Sequence, residues 1–91
     1  MPYIRDEDKK NPDMVRVTRA INKAIDSGAI KNQENLDYIY FHMAKKYMEK
    51  DNNSYRSISD TINAARDSAS EILRRFMGPR QDIDIQENGD V

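Results

Sequence analysis

Four arginines gather toward the end of the chain: Arg66, Arg74, Arg75 and Arg80, with Ser70 set between the first two. Guanidinium groups are planar forks of donors that match phosphate and carboxylate oxygens. Arg66 and Arg74 are about two helical turns apart and so share one side of a helix. The spacing describes an anion-binding strip of Arg66, Ser70, Arg74, Arg75 and Arg80, suited to a small phosphate-bearing ligand such as a cyclic nucleotide. The competing reading is a solvated helix flank. Glu71 stands four residues before Arg75, the spacing of a helical ion pair, and cations near a helix C-terminus complement its dipole.

Little else offers chemistry. His42 is the single histidine and falls with Tyr38, Lys45 and Glu49, opposite the apolar positions of its helix. A general base needs a partner and a pocket, and the neighbouring residues supply neither. Asp82, Asp84, Glu87 and Asp90 carry oxygen ligands but lack the spacing and the sixth-position glycine of a calcium loop. Gly28, Gly78 and Gly89 are isolated, so no phosphate-cradling loop is present. Cysteine is absent, which removes disulfides and thiolate metal sites. Tyr38, Tyr40, Tyr47 and Tyr55 are of a type that stacks on bases. Helical spacing assigns Tyr40 and Tyr47 to a core or an interface first. The expectation is a protein without catalytic residues, metal or cofactor.

Three periodic stretches position these residues. Asn11-Pro12 is an N-cap followed by proline at the first helical position, and Met14, Val17, Ile21, Ala24 and Ile25 share a face as far as Gly28. The spacing predicts a first helix over about 12–27. A second, over about 33–50, ends at Asp51-Asn52-Asn53-Ser54. Leu36, Tyr40, Met43 and Tyr47 form one stripe on it, with Ile39 alongside; Phe41, Ala44 and Met48 form another. Together they cover an arc of roughly 200°, wider than the stripe of about 100° that a monomer's surface helix needs. That excess makes the helix either central in the bundle or shared with a partner, and in the second case nominates Phe41, Ala44 and Met48 as an oligomer interface. The third helix, over about 58–77, opens on a capping-box pattern at Ser57 and Asp60. It continues with Ile58, Ile62, Ala65, Ala69, Ile72 and Phe76 in a seven-residue repeat. Gly78-Pro79 reads as its stop.

Beyond that stop lies a tail, 79–91, in which Ile83 and Ile85 alternate with acids. Either it is a flexible acidic tail or, since alternation is the signature of a strand, Ile83 and Ile85 pack and pair, with Tyr3-Ile4 the obvious partner. The expected architecture is all-α: a single domain, 1–91, folded as a three-helix bundle with short extended ends that are candidates to pair.

Charge narrows the partners. The net charge of −1 hides a surplus of bases over the body and an acidic end holding Asp82, Asp84, Glu87 and Asp90. The surplus is small beside the clustered lysines and arginines expected of a duplex-binding protein. The opening Met1-Pro2-Tyr3-Ile4-Arg5 has no apolar run of the signal-peptide kind, and no stretch approaches a membrane span of about 18 residues. A cytoplasmic protein is expected.

The opening "MPYI", the "RRFMGP" near the end of the third helix and the closing "ENGDV" resemble a family of small phage and bacterial proteins classed as a domain of unknown function. This chain departs from that pattern in having Leu73 before the arginines and in lacking a final Tyr after Val91. The resemblance implies a phage or prophage setting inside a bacterial cell and brings no catalytic residues. The leading expectation is a self-associating, non-enzymatic accessory protein acting in counter-defence. It would capture, mole for mole, a host protein or a small anionic signal. The alternative is a small nucleic-acid-associated regulator.

Overall fold

The first helix opens on acids. Asp6, Glu7 and Asp8 occupy the first turn of a single-turn helix, α1 (Asp6–Lys9), where negative charge complements the positive helix end. The structure, a computed structural model, describes residues 4–89. Two residues on, the Asn11 side chain accepts from the Asp13 N–H at 2.9 Å, and Pro12 starts α2 (Pro12–Asp26).

An elbow follows. Gly28 adopts φ +83°, which only glycine reaches without strain. The Ala24 carbonyl accepts from the N–H groups of both Ala29 and Ile30. Asn32 then caps α3 (Gln33–Glu49): its side chain accepts from the Asn35 N–H at 2.9 Å, and the Asn35 side chain accepts from the Lys31 N–H at 3.1 Å. Donors and acceptors on both sides of the elbow are thereby engaged.

The reversal between α3 and α4 (Tyr55–Ile72) uses two consecutive left-handed asparagines, Asn52 at φ 52° and Asn53 at φ 55°. Asparagine tolerates this region better than other residues with a Cβ. Ser54 is the N-cap of α4, three residues before the position the capping-box pattern suggested. Ser57 lies inside the first turn and donates to the Ser54 carbonyl. It is also the one buried residue among those described, at 3% exposure. Asp60, the other half of the expected box, serves instead as acceptor for Tyr47.

The expected stop at Gly78-Pro79 is not one. Gly78 is right-handed (φ −56°, ψ −55°), and the chain passes through a π-helical turn (Leu73–Met77) into a further helix, α5 (Gly78–Asn88). The wider turn is the reason proline fits. Pro79 has no N–H and would clash with a carbonyl one α-helical turn back. The π turn instead carries the Gly78 N–H to the Leu73 carbonyl, and Pro79 falls in the tolerated first turn of α5. The tail is therefore helical. Its isoleucines do not pair as a strand, and there is no strand among the described residues. Ile83 and Ile85, two apart on a helix, point about 160° away from each other. Ile4 precedes α1 as an exposed residue, while Tyr3 lies outside the described residues.

The molecule is all-helical, but the chain alone does not close as a bundle. α3 packs on α4, and α5 follows the π turn; no Cα of α2 comes within 8 Å of a Cα in α3 or α4. Packed helices lie about 8–10 Å apart axis to axis, which would bring their Cα atoms well inside that distance. The radius of gyration is 16.6 Å, against about 12 Å for a compact chain of this length. No hydrophobic residue is buried among those described.

Candidate functional site

The α3–α4 hairpin holds an open groove of about 600 Å³. Tyr40, Met43, Ala44 and Tyr47 form its α3 wall. Its α4 wall is a run of small side chains that includes Ala64, Ala65, Ser68 and Ala69 and ends at Ile72. Small residues let another helix approach closely. At one end the Tyr47 hydroxyl donates to Asp60 Oδ2 at 3.2 Å, tying the two helices together. Accepting that bond, and bringing its negative charge beside the phenol, Asp60 raises the Tyr47 pKa above the ordinary tyrosine value, with Arg56 opposing weakly. The lining is otherwise mainly apolar, with the hydroxyls of Thr61 and Ser68 as exceptions on α4.

On the other side of the hairpin is a second, smaller hollow lined by Phe41, Lys45, Met48 and Ile58. The Lys45 ammonium sits 6.0 Å from the Phe41 ring centroid. The proposed interface trio is thus divided. Phe41, at 67% exposure, and Met48 face this hollow, whereas Ala44 lines the main groove.

The arginine strip lies elsewhere again. Arg66 and Ser70 are each two residues from a groove residue, Ala64 and Ser68, which puts them about 160° round α4. Arg74 and Arg75 both donate to the Glu71 carboxylate, Arg75 Nε at 2.7 Å from Oε1, and Arg80 Nε stands 3.7 Å from Asp84 Oδ1. Three of the four guanidinium groups therefore already have carboxylate partners along the helix. His42 stacks on Tyr38 at 6.1 Å between centroids. Among the described residues no three His, Cys, Asp or Glu side chains converge as metal ligands, and no helix is long and apolar enough to cross a membrane.

Sequence reasoning placed Ala65 and Ala69 on a packing seam but did not foresee an open groove beside them. Its signal was present in Ala64-Ala65 followed four residues later by Ser68-Ala69, a ledge of small residues at helical spacing.

Comparison with protein families gives a match over residues 1–91 to a family described as Domain of unknown function (DUF6899). The chain belongs to that family. No curated protein and no solved structure matches it. For this DUF6899 member, the site's own geometry is what bears on function.

Proposed function

We propose that this chain is a non-enzymatic binding subunit that completes its hydrophobic core by association, first with copies of itself and then, as an assembly, with a protein target. One observation carries the reading: no apolar side chain is buried among the described residues, although α2, α3 and α4 each present an apolar face. The chain exposes 8374 Å². A compact monomer of 10.6 kDa exposes about 5,500 Å². The difference, about 2,900 Å² per chain or about 5,800 Å² for a pair, is at the upper end of what obligate homodimers remove from water. Exposed faces of this extent mark interaction surfaces.

In the phage or prophage setting, the target would be a host protein held by stoichiometric capture. Protein capture draws more support from the geometry than capture of a small anion, which would have to compete with Glu71 and Asp84 for the arginines. Native mass spectrometry of protein purified from expressing cells tests the proposal. The expected result is a homo-oligomer, with stoichiometric protein adducts when host lysate is supplied. A monomer that stays folded at high micromolar concentration would overturn it.

A further inference from the structure

We propose that the groove between α3 and α4 is the seat for α2 of a second copy, so that the three-helix bundle is completed between chains. The inference rests on the self-association reading above and specifies its geometry.

Two unpartnered faces of one chain fit each other. The α2 stripe runs from Met14 to Ile25, and Met14, Val17, Ile21 and Ile25 are each between 38% and 50% exposed. The α4 wall of the groove runs from Asp60 to Ile72. At about 1.5 Å per residue, stripe and wall are both roughly 17 Å long. Their textures are complementary: branched Val17, Ile21 and Ile25 on one side, alanines and serine on the other. Charge does not oppose the contact. Arg16, Arg19 and Lys23 lie on the side of α2 opposite the stripe and would stay in water, while Asp60, the carboxylate in the groove, already accepts from Tyr47.

The elbow argues for another chain rather than the same one. Gly28, the doubly used Ala24 carbonyl and the Asn32–Asn35 pair fix the course from α2 into α3, and that course holds α2 away from its own groove. A second copy meets no such restriction. Reciprocal exchange, each α2 in the other's groove, makes a closed two-fold pair in which both stripes and both grooves are covered.

The absence of cysteine permits a direct test. Ile21 is at the middle of the stripe and Ala65 near the middle of the groove, so their proximity is insensitive to the direction in which α2 lies. Ile21→Cys and Ala65→Cys chains are purified separately, mixed, and oxidised. The expected result is a covalent dimer in the mixture, well above the level that either variant forms alone. Association by light scattering without this mixed crosslink would overturn the groove assignment while leaving self-association standing. Monomeric behaviour would overturn both. A double variant that closes within a single chain at high dilution would show that α2 folds back, and would also overturn the inference. A second variant guards against a misleading crosslink. Ala69→Leu, at an exposed position of the isolated chain, is expected to weaken association about tenfold or more by filling the groove while helicity is kept. Unchanged association of Ala69→Leu would count against the groove as the seat.

Discussion

At the scale of single residues, the turn between α3 and α4 is held by a few polar side chains whose replacement has a definite sign. Ser54 is the cap of α4, so Ser54→Ala should cost about 1 kcal/mol, measurable by urea unfolding. The sequence pattern favoured Ser57 because serine with an acid three residues on is the usual box. It could not reveal that Asp60 would be drawn across to Tyr47. That cross-helix bond gives a pH dependence. The Tyr47 pKa is raised in the folded state, so the neutral phenol contributes stability that is in full effect below the ordinary tyrosine value of about 10. This contribution should fade as pH rises through the higher folded value. Thermal unfolding of Tyr47→Phe compared with the parent should show a gap that narrows as pH climbs above about 10. A constant gap would mean that the bond adds nothing.

Elements carry the clearest contrast between reading and structure. Gly28 and Gly78 both look like helix terminators in sequence, but only Gly28 has positive φ. Gly28→Ala should therefore destabilise by about 1 kcal/mol, and Gly78→Ala should stabilise by about 0.5–1 kcal/mol, with opposite shifts in Tm. A Cβ on Gly78 meets the Leu73 carbonyl oxygen at 3.4 Å, an ordinary contact. Asn11 and Asn32 were legible as helix starts because a cap is a local bond between neighbours. The fate of the tail was not legible, because continuation depends on what precedes it. Extending an existing helix avoids the cost of nucleation, and Arg80 with Asp84 adds an i,i+4 pair, so helix prevails over the alternating isoleucines. The groove was legible only in part: Ala65 and Ala69 stood in the seven-residue repeat as a packing seam, but the pattern could not show that the space between them and Tyr40, Met43 and Tyr47 would stay open.

For the whole molecule, the governing fact is that the apolar surface of one chain exceeds what that chain covers. Stability should then depend on concentration, since binding between folded copies stabilises them by mass action. Tm is expected to rise across a series of increasing protein concentrations, and Ile21→Glu should abolish the trend by placing an unpaired charge in the contact. A Tm independent of concentration in the parent would contradict association. The all-helical class was readable from periodicity, and the arc on α3 announced surplus apolar surface. Which surfaces meet depends on the angle at the elbow, and no residue type spells out an angle.

That elbow, residues 27–32, has a consequence for stoichiometry. The angle between a helix that is offered and a groove that receives is a symmetry operator. A half-turn closes after two copies, a smaller rotation closes a ring, and a rotation with advance builds a filament. If α2 of one copy seats in the groove of another, the number of chains that join would be set by the torsion of Gly28 and the grip of Asn32 and Asn35, none of which lies in the stripe or the groove. On the proposed seating, a change of residue there would convert one closed assembly into another, or into a fibre, while every adhesive surface stays the same.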